Sequence, residues 1–231
     1  SLKELPTTGA NSPGEYANAF SELAKSTDSI VCISVSKEIS AGYASAENGI
    51  KEALERHPNL KIELIDSRNA AGAEGFIALE AARTAQVGKS LTEVVRIARD
   101  LIPKVQFAFA LDTLKYLIKG GRAPKTAYIG ELLQVKPIIS IDNKTGVVGS
   151  LGKERGKKKV MLKMVDIVRD YADINKPLHV IVHYTDRVED GEELREMITS
   201  RYNCADIYMT DLTPVMTAHT GPAVGLSFYS G

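Results

Sequence analysis

The sequence predicts an α/β protein in two parts: a parallel-sheet first domain over residues 1–103 and an α+β second domain over residues 104–231 with a mixed or antiparallel sheet. Three observations carry this. Through the first hundred residues, short β-branched runs alternate with helix-length stretches, an order that implies crossover connections and a parallel sheet. After Pro103 the pattern changes, and a hairpin enters among the helices. The chain has 231 residues, enough for two cores of modest size.

The elements follow in order. Ser12, Pro13 and Glu15 stand where a capping box needs its N-cap, first helical residue and third residue, so a helix runs from 12 to about 25. Residues 29–35 read as a buried strand, followed by a helix from about 40 to 56 that Pro58 stops. Residues 61–66 repeat the strand pattern, and a helix from about 70 to 86 ends before Gly88. A second capping box at Ser90 opens a helix to about 102. Beyond Pro103 the sequence predicts a strand at 104–110, a short helix closed by Gly120 and Gly121, and a helix at 126–134. A hairpin over 136–151 turns at 142–146. A long basic amphipathic helix at 157–174, a strand at 178–184, a helix at 189–202 and a strand at 205–210 lead to a closing turn and apolar strand.

Lysines and arginines equal aspartates and glutamates at 29 each, so no overall field draws the chain to nucleic acid or an anionic membrane, and binding has to come from a local site. Cys32 and Cys204 form no metal-spaced cluster and read as reduced core thiols, which points to a cytoplasmic protein. No apolar run approaches the ~20 residues of a membrane-spanning helix, so membrane contact is expected to be transient at most.

Several stretches offer chemistry. Ile39 to Tyr43 hands a strand over to a helix through Ser40, whose hydroxyl beside unpaired N–H groups suits a carboxylate or phosphate; an N-cap role accounts for the same serine. Ser36 is a weaker ligand candidate. Thr7 and Thr8 lie in a loop ahead of a capped helix, where α/β folds bind ligands, and ordinary turn residues look the same. Arg122 follows two glycines, and Arg155 belongs to a basic run at a helix start, where positive charge opposes the helix dipole. His219 precedes Gly221 and Pro222 in the closing turn, aimed by that turn and well placed to bond a carboxylate. Nothing stands at metal-ligand spacing from it, so neither metal nor cofactor is expected.

Together these stretches resemble the DegV family. The resemblance is carried by PTTGANSPGEY against P-T-T-S-Q-P-S-P-G-E-F, ISVSKEISAGYASA against I-S-S-x-L-S-G-T-Y-Q-S-A, LDTLKYLIKGGRAPK, LLQVKPIISI, and AHTGPAVGLSFY against A-H-x-G-P-G-x-x-G-L-x-F. It implies a two-domain carrier that encloses a long-chain fatty acid, its tail in an apolar tunnel and its carboxyl group near the domain junction. A partner, the catalytic subunit of a bacterial fatty acid kinase, phosphorylates that carboxyl group for phospholipid metabolism, and the carrier itself is not an enzyme. By the same resemblance Thr8, Ser40 and His219 bind the carboxylate, Thr7 lies adjacent, and Arg122 and Arg155 meet the kinase or the phosphorylated product. The family pattern also implies a strand and a loop with a Thr-Asp-Ser-like motif ahead of residue 1. Three departures stand out: Ser-Ala-Gly-Tyr replaces S-G-T-Y, removing a threonine hydroxyl, Ala223 stands where glycine is common, and Gly-Ala-Asn replaces S-Q-P before Ser12. The alternative reading is an enzyme for a small carboxylated or phosphorylated substrate, with Ser40, His219 and Arg122 as its binding and acid–base groups.

Overall fold

A computed structural model describes residues 5–123 and 135–231. The element order is α1 (Pro13–Leu23), β1 (Ser29–Ser34), α2 (Gly42–Arg56), β2 (Lys61–Asp66), α3 (Ala71–Gln86), α4 (Leu91–Leu101), β3 (Gln106–Leu111), α5 (Lys115–Lys119), β4 (Val135–Ile141), β5 (Val148–Arg155), α6 (Lys157–Tyr171), β6 (Leu178–Tyr184), α7 (Val188–Thr199), β7 (Cys204–Asp211), α8 (Pro214–Thr220) and β8 (Ala223–Ser230). Strands β1 and β2 form a parallel pair, and the other six form a mixed sheet in the order β5-β4-β3-β8-β6-β7. The expected helix at 126–134 lies outside the described residues.

Both capping boxes are formed. Ser12 and Ser90 accept from the backbone of Glu15 and Glu93 while those carboxylates reach back, fixing the starts of α1 and α4. The hydrogen bonds from Ser90 hold the Glu93 carboxyl group down at about 2. The hairpin β4–β5 pairs antiparallel, and its turn is tied by Asp142, whose Oδ1 accepts from Thr145 N at 2.7 Å and Lys144 N at 3.0 Å. Helix α6 stops at Tyr171, short of the expected 174. There Asp173 Oδ1 accepts from Asn175 N at 3.1 Å, and this local turn competes with a further helical turn ahead of Pro177.

The layers explain the composition of α3. One core joins α3 and α4 to one face of the six-stranded sheet through Phe76, Ile77, Phe107, Phe109 and Tyr229, and takes in Ile65 of β2 as well. The opposite face of that sheet packs on α6 and α7 through Met161, Met164, Val165, Leu194 and Phe228. Helices α1 and α2 cover the other side of β1–β2, with Phe20 and Ala53 packed against Ile30 and Leu60. Helix α3 serves both sheets, its small residues allow close approach on both, and its one exposed stripe, Gly75, Ala78, Ala82 and Ala85, is itself made of small residues. The second edge of β1 faces an apolar groove of about 480 Å³ lined by Val31, Ile33, Ala78, Ala82, Leu91 and Val94.

Inside the shared layer lies His183, only 2% exposed. Its Nε2 meets Ser227 Oγ at 3.1 Å, its ring packs on Phe109, and Gly72 of α3 sits so close that a Cβ there would be 2.6 Å from Nε2. Burial pushes its pKa down to about 3. With the folded value below the ordinary 6.5, the unfolded chain takes up the proton first. Stability is therefore fully present above about pH 6.5 and drains away as pH falls toward 3, on the order of 5 kcal/mol in all. His183→Gln should flatten the acid limb of a pH–stability curve between those limits, as read by urea midpoints. An unchanged limb would show that other groups govern it.

Candidate head-group site

The closing segment departs from the sequence reading in an informative way. His219 lies in the last turn of a short helix, α8, where a plain turn was expected. Thr213 caps that helix by accepting from Met216 N, Pro214 occupies its first position, and Gly221 ends it at φ 61°. Thr-Pro before an apolar pair is a helix-start signal, and it was available in the sequence. The helix aims the imidazole back toward the segment ahead of α1.

There it meets Thr8. Thr8 Oγ1 and His219 Nε2 are 2.8 Å apart, across 211 residues of sequence. The other ring nitrogen, Nδ1, is buried without a hydrogen-bond partner among the described residues, packed so tightly on Gly120 that a Cβ there would stand 2.6 Å away. Burial, and then the nearby Arg122 guanidinium, hold the His219 pKa below its ordinary value, so the ring is neutral at pH 7. A neutral imidazole carries one N–H. Placing that hydrogen on Nδ1 would bury an unpaired donor, which is rarer than an unpaired acceptor. The assignment that follows puts it on Nε2, donating to Thr8 Oγ1 and leaving the threonine hydroxyl hydrogen to donate onward.

Arg122 closes the arrangement from behind. Its Nε donates to the Ile39 carbonyl at 3.1 Å and its Nη1 to the Gly120 carbonyl at 2.6 Å. It thereby ties the loop before α2 to the end of α5, and Gly120 in turn backs His219. Ser40, next to Ile39, is half-buried, and its Oγ accepts from Gly42 N at 3.1 Å. It is not the N-cap, a position held by Ala41 without a side-chain bond.

The structure thus brings Thr8 and His219 into direct contact and holds Ser40 and Arg122 at one remove. Thr7 is exposed. Ser36 is fully buried, and its hydroxyl donates to Gly146 O at 2.8 Å, tying the end of β1 to the hairpin turn. That bond occupies the hydroxyl with structure. Arg155 is exposed at the end of β5. The groove along β1 includes none of Thr8, Ser40 and His219. Among the described residues no three His, Cys, Asp or Glu side chains group as metal ligands, and no helix is long and apolar enough to cross a membrane.

A model of the DegV family matches residues 1–231. A DegV domain-containing protein of Streptococcus pyogenes is 34% identical over 219 residues, 94% of this chain and 75% of that protein. One from Clostridium acetobutylicum is 33% identical over 231 residues, 99% and 80% respectively. Among solved structures, a DegV family protein from Thermus thermophilus, described for its fatty acid binding, superposes with a TM-score of 0.89 at 26% identity, covering 98% of this chain and 79% of that one. A stearic acid-binding protein from Eubacterium ventriosum superposes with a TM-score of 0.88 at 25% identity, covering 99% and 79%.

Proposed function

Because the chain belongs to the DegV family, we propose that it is a non-catalytic carrier of one long-chain fatty acid, with the carboxylate held by Thr8 and Ser40 directly and by His219 through its bond to Thr8. The observation that carries this reading is the Thr8–His219 pair at 2.8 Å. A neutral histidine that spends its single N–H on a threonine leaves a hydroxyl donor, and a hydroxyl donor suits a carboxylate, with the Arg122 cation behind the histidine. The related proteins described as binding fatty acids support the ligand class.

Energetics divides the work between tail and head. Burying a methylene is worth roughly 0.8 kcal/mol, so a tail of about sixteen carbons contributes a gross ~12 kcal/mol before association entropy. One net hydrogen bond adds only about 0.5–1.5 kcal/mol. The tail therefore holds the ligand, and the head-group residues decide which end faces outward. An apolar tunnel for the tail is part of the proposal. So is a partner kinase that phosphorylates the presented carboxyl group, with the exposed Arg155 toward it, and so is a cytoplasmic setting in phospholipid metabolism.

The test is direct. Protein purified from a bacterial host, denatured and analysed by mass spectrometry, should release about one long-chain fatty acid per chain. An empty protein that also takes up neither palmitate nor oleate would overturn the reading.

A further inference from the structure

We propose that the Tyr16 hydroxyl is a further ligand-binding group of this site, placed opposite Ser40 across a notch that Gly42 leaves open. The inference rests on the carrier reading and adds a residue to it.

The notch is defined by distances. A Cβ built on Gly42 would stand 3.4 Å from Ser40 Oγ and 3.4 Å from Tyr16 Oη. Two hydroxyls from different elements therefore face the same small space, at the first residue of α2, where backbone N–H groups are unpaired within the helix. Gly42 N already donates to Ser40 Oγ, which leaves the serine hydroxyl hydrogen to point elsewhere. Glycine is not sterically forced here, because a Cβ at those distances makes ordinary contact. What glycine does is keep larger groups out of the space between the hydroxyls.

Tyr16 is held in place by backbone packing. Helices α1 and α2 meet at Gly49, where a Cβ would fall 2.6 Å from both Pro13 O and Tyr16 Cβ. The ring lies tilted by 33° against Phe20, with centroids 6.1 Å apart. Among the described residues no hydrogen bond engages the Tyr16 hydroxyl, although the side chain is half-buried. Its pKa is raised by burial, then by Cys32 and Glu74, so it stays a neutral O–H donor at pH 7. In packing alone a phenylalanine would serve.

A threonine side chain at position 42 would project a hydroxyl into the same space between Ser40 Oγ and Tyr16 Oη.

A double-mutant cycle on the whole chain tests this, with palmitate as the probe and affinity measured by displacement of a fluorescent fatty acid. Tyr16→Phe should weaken palmitate binding roughly three- to tenfold with little change in melting temperature, the effect of one lost net hydrogen bond. Gly42→Thr in the otherwise native chain should also weaken binding, because the new side chain crowds Tyr16. Combining the two should restore affinity to within about twofold of the native chain. The carboxyl ¹³C resonance of bound [1-¹³C]palmitate should move in Tyr16→Phe and return toward its native position in the double variant. Native binding with Tyr16→Phe within twofold and an unmoved resonance would overturn the assignment while leaving the carrier reading intact. No palmitate uptake by the native chain would overturn both. Should Gly42→Thr fail to fold, affinity and resonance in Tyr16→Phe decide alone.

Discussion

Gly221→Ala should lower the melting temperature by roughly 5–15 °C, a larger loss than either of its two physical components alone would cause. Gly221 ends α8 at φ 61° and ψ −157°, a region that is essentially restricted to glycine and that costs of order 1–3 kcal/mol for other residues. A Cβ there would also fall 2.3 Å from two ring atoms of Tyr116, and a ring cannot yield as a flexible chain end would. Two other glycines separate the terms. Gly88 has φ 80° with nothing within 4 Å of a Cβ, so Gly88→Ala isolates the backbone cost. Gly225 lacks a positive φ, but a Cβ would lie 2.5 Å from the buried Phe109 ring, so Gly225→Ala isolates overlap in the core. Calorimetry on the three variants should place Gly221 well below Gly88. Equal shifts for the two would show that Tyr116 moves aside freely and that α8 is not held by this contact.

The contrast between what could and could not be read beforehand follows from range. Signals that act within four residues were legible: the capping boxes at Ser12 and Ser90 and the hairpin turn at Asp142 appear where their residue types require. The order of the second sheet was not, because β8, the last strand, inserts between β3 and β6, and no local feature of Ala223–Ser230 names its neighbours. Once placed, β8 serves two covered faces, with Leu226 and Phe228 on one side and Gly225 and Ser227 leaving room for Phe109 and His183 on the other. The site divides in the same way. Thr8, Ser40 and His219 could be nominated by residue type and by resemblance, but the contact between residues 8 and 219 is a product of tertiary structure. Ser36 looked like Ser40 in sequence, and only the Gly146 carbonyl separates their roles. The resemblance makes Arg122 a cation for the kinase or the phosphorylated product, and its two carbonyl partners, Ile39 and Gly120, depend on the loop before α2 lying beside α5.

His219→Ala should reduce kinase-dependent phosphorylation of the bound fatty acid roughly a hundredfold while lowering fatty acid retention by less than tenfold. The asymmetry follows from what the imidazole touches. On the carrier reading retention depends on burial of the tail, and losing the bond between His219 and Thr8 removes at most one hydrogen bond from the head group. Presentation depends on geometry. Without Nε2 the Thr8 hydroxyl loses the partner that fixes its rotamer, and the space against Gly120 is left empty, so the carboxyl oxygen to be phosphorylated is no longer held in one orientation. Thr8→Val should reproduce the split, because it deletes the hydroxyl that His219 orients and keeps a side chain of similar shape. Thr8→Ser, which keeps the hydroxyl, should recover most of the activity. Measured with a fatty acid kinase and radiolabelled ATP, equal losses of retention and turnover in His219→Ala would mean that the histidine holds the ligand in place. Native turnover in both His219→Ala and Thr8→Val would remove the pair from the mechanism.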